Sequence, residues 1–331
     1  MTLPPLRFVT HLPESTLAPF RECDDIDALI ARDAQVRRLF SDDGNYCWII
    51  LTYLRLRDRT EREIVLASEA RRGAINVVHS ARATGTRIDP GCYTLVVRAD
   101  FGRRPFADFH LVQNPDQLQA DTACIPLWRQ PALIPRDPAR RGLSRAAYIG
   151  QPGNGSVAVM DRLREALGER GIAIETPPLD RMHDMSGYDC AFALRSLGGE
   201  RHPGKPPSKM VNAWFARMPF VGGPDSAYDH FGTRGETYLR ATSPDEIVAH
   251  IGALQDDPQL YARMVASGEE ARAPFEDDAL ARRWLEVIAR HCDPAFARHA
   301  PGPVAMARRR ALQLVDAAKV RAGRGARKLR G

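Results

Sequence analysis

Lys205 and Lys209 bracket a Pro-Pro-Ser turn ending in Ser208, within the stretch KPPSKMVNAWFARMPFVGGPDSAY. Two ammonium groups beside a helix start suit a phosphate, because the first helical turn leaves N–H groups unpaired and carries partial positive charge. Met210, Val211, Trp214 and Phe215 then recur at helical spacing, and Pro219 opens a short apolar strand closed by Gly222, Gly223 and Pro224. Asp225 and Ser226 follow that turn. Their short polar groups either meet a phosphate or sugar or cap the next helix. Arg195 comes directly after the apolar run CAFAL, at the strand end where open α/β sheets bind ligands. Gly150 opens the turn GQPGNG, which also contains Asn154, between a strand and a helix. Its glycines at 150, 153 and 155 do not form the G-x-G-x-x-G fingerprint of dinucleotide sites. The alternatives are solvated lysines, a surface ion pair for Arg195 and a plain βα turn at Gly150.

In the first half, His79 stands just past INVV and His110 lies within DFHLVQN. A histidine at a strand end can act as general base toward an acceptor hydroxyl, and His79 is the candidate. The alternative is a core histidine making one hydrogen bond. Gln113 and Asn114 end the run HLV as polar groups near the expected cleft. No cluster of His, Cys, Asp or Glu has the spacing of a metal site.

The stretch from 146 to 288 resembles the C-terminal nucleotide-sugar half of GT-B glycosyltransferases. NAWFARMPFVGG stands where EAMACGxPVV is usual, with Asn212 at the position of the helix glutamate. Gly204 and Lys205 occupy the place of the first glutamate of the E-x7-E pattern. The resemblance implies an α/β chain of two Rossmann-like domains facing a cleft. It implies a nucleotide-sugar donor held by Gly150, Arg195, Lys205, Ser208, Lys209, Asn212, Asp225 and Ser226. The implied activity moves a hexose-like sugar to a glycan or lipid-linked acceptor without a metal or other cofactor. Lysines and a helix dipole would neutralise the leaving diphosphate, and no D-x-D loop of the GT-A type is present. The missing carboxylates support a second reading, a non-catalytic GT-B-like binding subunit of a polysaccharide assembly system.

Short apolar runs begin at Leu6, Ile64, Ile75, Tyr93 and His110, then at Ala146, Ile172, Cys190, Pro219 and Thr237. Helical patterns alternate with them, most clearly at 157–168, after the capping sequence Ser243-Pro244-Asp245-Glu246, after Asp257-Pro258, and over 277–290. Residues 24–40 predict one helix, and Trp48–Leu56 either a buried strand or an apolar helix. Such alternation predicts parallel sheets covered on both faces. The linker-like DPARR at 137–141 divides a domain at 1–140 from one at 141–292, followed by a basic tail at 293–331.

A chain of 331 residues suits two such domains. Six scattered cysteines with no C-x-x-C pair predict reduced thiols in the cytoplasm, and no apolar run reaches the roughly 18 residues of a membrane span. The net charge of +6 is local: nine of the 47 Lys and Arg and one of the 41 acids lie in 304–331, leaving 38 and 40 elsewhere. Val304, Leu312, Val315 and Val320 with Arg308–Arg310, Lys319 and Arg321 predict a basic amphipathic helix for an anionic membrane surface. Its rivals are docking on the body or an acidic partner. Nothing in the body has the aromatic-basic pattern of a nucleic-acid groove.

Overall fold

The computed structural model describes residues 3–83, 87–150, 157–197 and 199–328. The first half forms a six-stranded parallel sheet from β1 (Leu6–Val9), β2 (Ile64–Ala67), β3 (Ile75–His79), β4 (Tyr93–Val97), β5 (Phe109–Val112) and β6 (Thr122–Cys124), in the order β2-β1-β3-β4-β5-β6. Alternate residues serve opposite faces, as the pleat requires. Ile75, Val77, Leu95 and Val97 enter one core, while Val78 and Val96 enter the other. The larger core is closed by α1 (Glu14–Arg21), α2 (Ile26–Arg32), α3 (Ala34–Asp42) and α4 (Leu51–Leu56).

The helix expected over 24–40 is two helices. Asp33 accepts hydrogen bonds from the Gln35 and Val36 backbone, so it caps α3 and ends α2. Trp48 lies in a π-helical turn, Asn45–Ile50, that runs into α4, which decides for helix over strand. The short strand β6 was not foreseen; three residues, TAC, carry almost no pattern.

The second half forms a five-stranded parallel sheet from β7 (Arg145–Tyr148), β8 (Ala173–Glu175), β9 (Cys190–Ala193), β10 (Phe220–Gly222) and β11 (Leu239–Arg240), in the order β11-β10-β9-β7-β8. One face carries α5 (Val157–Gly168) and α8 (Pro244–Asp256) through Leu163, Ile247 and Ile251. The other carries α6 (Ser208–Phe215) through Met210, Val211 and Trp214. The short α7 (Ser226–Phe231) follows β10, and α9 (Pro258–Ala271) packs beside α6 and α8. The capping residues read from sequence are in place: the Ser243 hydroxyl accepts from Glu246 N at 3.2 Å, and Asp257 accepts from Gln259 N at 2.8 Å.

Residues 125–144 run between the two sheets. From Ile134 onward they already pair with the second half: Ile134 N donates to His183 O, and Arg136 and Arg140 hold the buried Asp189 at 3.1 and 2.7 Å. The chain later returns. α10 (Asp277–Val287) buries Leu280, Ala281 and Trp284 in the first domain's core, with Trp284 against Phe8 at 6.4 Å, and the short α11 (Asp293–Ala297) follows.

The last helix, α12 (Pro303–Lys328), follows the docking alternative over its first part. Its docking face on the first domain is polar. Asp316 pairs with buried Arg104 at 3.0 Å, Arg309 pairs with Asp108 at 2.6 Å, and Gln313 donates to Ile88 O at 3.0 Å. Val304 and Val315 point to solvent, and Leu312 alone of the expected stripe packs against the second core. An apolar periodicity cannot reveal a face held by buried ion pairs. Among the described residues no helix is long and apolar enough to cross a membrane.

Candidate functional site

A cavity of about 260 Å³ lies between the two sheets, walled by α3, by residues 127–131, and by strand ends and α6 of the second domain. Gly150, Arg195, Lys205, Ser208, Lys209 and Asn212 all line it. These six candidates, scattered over 63 positions of sequence, meet because parallel strands end on one side of their sheet.

Each is fixed by local structure. Gly150 follows β7, where the Tyr148 ring folds back into the space that a side chain would occupy. Ser208 opens α6, whose N-terminus has no side-chain cap, so its first N–H groups remain open to the cavity. Trp214 anchors the helix by donating Nε1–H to Thr237 O at 2.8 Å and meeting Phe275 edge-on. Asn212 stands on the same helix with its Oδ1 accepting from Gln130 N at 2.9 Å, which ties α6 to the loop after β6.

Arg195 leaves β9 and is held by Asp225 at 2.6 Å. Asp225 is itself buried and is absent from the cavity wall, so it orients Arg195 from behind. Lys205 pairs with Asp100 at 2.5 Å, which couples the second domain to the end of β4. Gln113 reinforces the junction by donating to Asp100 Oδ1 and Gly204 O, both at 2.7 Å. Lys209 has no acid within ion-pair distance among the described residues. Burial, with repulsion from Arg195 and Lys205 set against attraction from Asp225, pulls its pKa down to about 7.

Two candidates are placed elsewhere. Ser226 is buried, and its hydroxyl accepts from Asn114 Nδ2 at 2.9 Å, so it joins α7 to the end of β5. Ser226 is the first residue of α7, whose N-terminus has no side-chain cap hydrogen bond among the described residues, so its hydroxyl serves the bond from Asn114 and does not cap the helix. His79 ends β3 in a neighbouring cavity of about 490 Å³. Both of its ring nitrogens lack a partner among the described residues, and Phe101 meets it edge-on at 5.5 Å. Burial lowers its pKa to about 4, which keeps the ring neutral. Asn154 lies outside the described residues.

Asp100, Arg129, Gln130 and Asp42 also line the main cavity and were not singled out from sequence. Only Asp100 carries a signal, a polar residue just beyond the strand YTLVV. The two cavities share Asp42, Cys47, Asp100 and Leu127 as lining, so they adjoin.

No family model and no curated protein matches the sequence. Solved structures do match its fold. HepE of Anabaena, crystallised with UDP and glucose, has a TM-score of 0.52 at 10% identity, over 87% of this chain and 99% of that one. TarM gives 0.47 at 9% identity, over 65% of this chain and 54% of that one. The pneumococcal O-GlcNAc transferase GtfA, crystallised with UDP and GlcNAc, gives 0.48 at 12% identity, over 66% and 57%. The chain thus spans little more than half the length of TarM and GtfA. Two parallel sheets flanked by helices and facing a shared cavity make this a GT-B glycosyltransferase-like fold.

Proposed function

We propose that this protein is a glycosyltransferase that takes a sugar from a nucleoside diphosphate donor bound in the 260 Å³ cavity. The observation that carries the reading is the convergence of Arg195, Lys205 and Lys209 on that cavity beside the open N-terminus of α6. Arg195, Lys205, Lys209 and one helix dipole face a space whose wall also holds Arg129, paired with Asp277, and the acids Asp42 and Asp100; Asp225 holds Arg195 from behind, and Lys209 has no ion-pair partner among the described residues. Such a site stabilises the charge that develops on a departing diphosphate, with no metal required in the proposal. Orientation of donor and acceptor supplies the rest. HepE, crystallised with UDP and glucose, makes a uridine donor the first to test.

The acceptor side is the adjoining 490 Å³ cavity, where neutral His79, its ring nitrogens without a partner among the described residues, would take a hydroxyl proton. The acceptor is a glycan or a lipid-linked glycan. For the latter, the outward face of α12, with Leu314 and Val315 exposed between Arg310 and Lys319, is the surface offered to an anionic membrane in the cytoplasm.

Asn212 favours a second reading. Its Oδ1 is occupied by Gln130 N, so no carboxylate stands where the resemblance implies a glutamate. A binding subunit that holds a nucleotide sugar without turning it over would have this feature. Release of nucleoside diphosphate from a panel of nucleotide sugars separates the two: turnover supports the transferase, and saturable binding without release supports the subunit.

A further inference from the structure

We propose that the first domain holds an anion subsite for an acidic acceptor, in which Arg87 receives a phosphate or carboxylate borne on a sugar or polyol. The word acceptor rests on the glycosyltransferase reading; the anion site itself does not.

The cavities form a track. The 490 Å³ cavity shares Ala81 and Arg82 with a third, of about 210 Å³, at the far side from the donor pocket. This third cavity sits where β1 ends, beside the start of the turn Asn45–Ile50. Two of the side chains that line it carry a buried polar atom without a partner among the described residues, His11 Nε2 and Asn45 Oδ1. Asn45 is 1% exposed, and its Nδ2 donates to Thr10 O at 3.0 Å, which fixes the amide with Oδ1 as an unused acceptor. Unpaired buried polar groups are costly and rare, so two in one small cavity point to an occupant.

The charges say what kind. Arg87 lines the cavity with no ion pair among the described residues, and Arg82 uses one side of its fork on Asp43 at 2.9 Å. His11 is kept from protonation, by burial first and then by Arg87. Glu69 is felt at His11 from the exposed surface and is not in the wall, and Arg82 is already paired with Asp43, so the guanidinium left to favour an anion is that of Arg87, in the planar two-bond geometry that arginine offers. A bare anion would leave Asn45 Oδ1 unpaired, because that atom needs a donor. A hydroxyl next to the anionic group satisfies it, and neutral His11 can donate to or accept from the same ligand. The fitting chemistry is therefore a uronate or a sugar or polyol phosphate.

The test is calorimetric titration of the full chain, first with UDP and then, at saturating UDP, with glucuronate, glycerol phosphate and glucose as probes. The expected result is that one anionic probe binds at least about tenfold tighter than glucose, the gain of a charge-assisted pair. In Arg87→Gln, a change at an exposed residue, that preference disappears while UDP affinity is unchanged. Preference for glucuronate assigns a carboxylate, and preference for glycerol phosphate assigns a phosphate. Equal binding of charged and neutral probes, or a preference that survives Arg87→Gln, overturns the proposal. Failure of UDP to bind overturns the donor reading alone, since the same probes titrated into the ligand-free protein still report on Arg87.

Discussion

Replacing Lys209 with methionine should stabilise the ligand-free protein and weaken its hold on a nucleotide sugar. The lysine's pKa falls from 10.5 to about 7 because its ammonium is desolvated beside Arg195, with only partial relief from Asp225. A factor of ten in protonation is about 1.4 kcal/mol, so the fall represents roughly 5 kcal/mol against the charged form. The direction with pH follows. Between about 7 and 10.5 the unfolded chain binds the proton and the folded chain does not, so stability rises with pH. The full penalty is present below pH 7 and shrinks to about 2 kcal/mol by pH 9. Methionine has similar length and no charge, and fits the space without a cavity. Urea unfolding should therefore show the variant more stable by up to about 5 kcal/mol at pH 6, with the gap narrowing toward pH 9. Donor titration at pH 7 should show the opposite, a loss of roughly 1.5–3 kcal/mol, which is about 10- to 150-fold in Kd. A less stable variant at pH 6, a gap indifferent to pH, or an unchanged donor Kd would each refute the reasoning.

Asp316→Ala strips the carboxylate from buried Arg104 and should cost about 3 kcal/mol of stability, whereas a change within about 0.5 kcal/mol would show that α12 is not held by that pair. His79→Phe keeps the contact with Phe101 and should lower turnover by about 100-fold or more with donor Kd unchanged; undiminished turnover would leave the ring a packing role. Because the His79 pKa lies near 4, its protonation should not shape the rate between pH 6 and 8, and a loss of activity with an apparent pKa near 6.5 would have to come from another group or sink this assignment. Ending the chain after residue 322 leaves the docked part of α12 in place and removes four basic residues, so flotation with anionic liposomes should weaken markedly; equal flotation removes the membrane from the account.

That six of the candidate residues share one cavity was legible because they follow short apolar strands or open the helix α6. Arg195 and Gly150 were placed by the strand ends alone, and Lys205 and Lys209 by the start of α6. For Ser226 the sequence leaves two readings open, since a helix-opening serine and a phosphate-binding serine look alike; its bond from Asn114 spans 112 positions and has no local signal. Arg129 and Gln130 carry no local pattern, and their place in the wall depends on the chain crossing between sheets. The same holds for α12, where Arg309, Gln313 and Asp316 look solvent-facing until Asp108, Ile88 and Arg104 are brought beneath them.

A crystal structure of the protein with UDP bound tests the central claim most directly. The account predicts the diphosphate between Arg195, Lys205 and Lys209, with its oxygens about 2.7–3.2 Å from those side chains or from the first N–H groups of α6. A diphosphate bound elsewhere, or no density for UDP at saturating concentration with the cavity open to solvent, would contradict it.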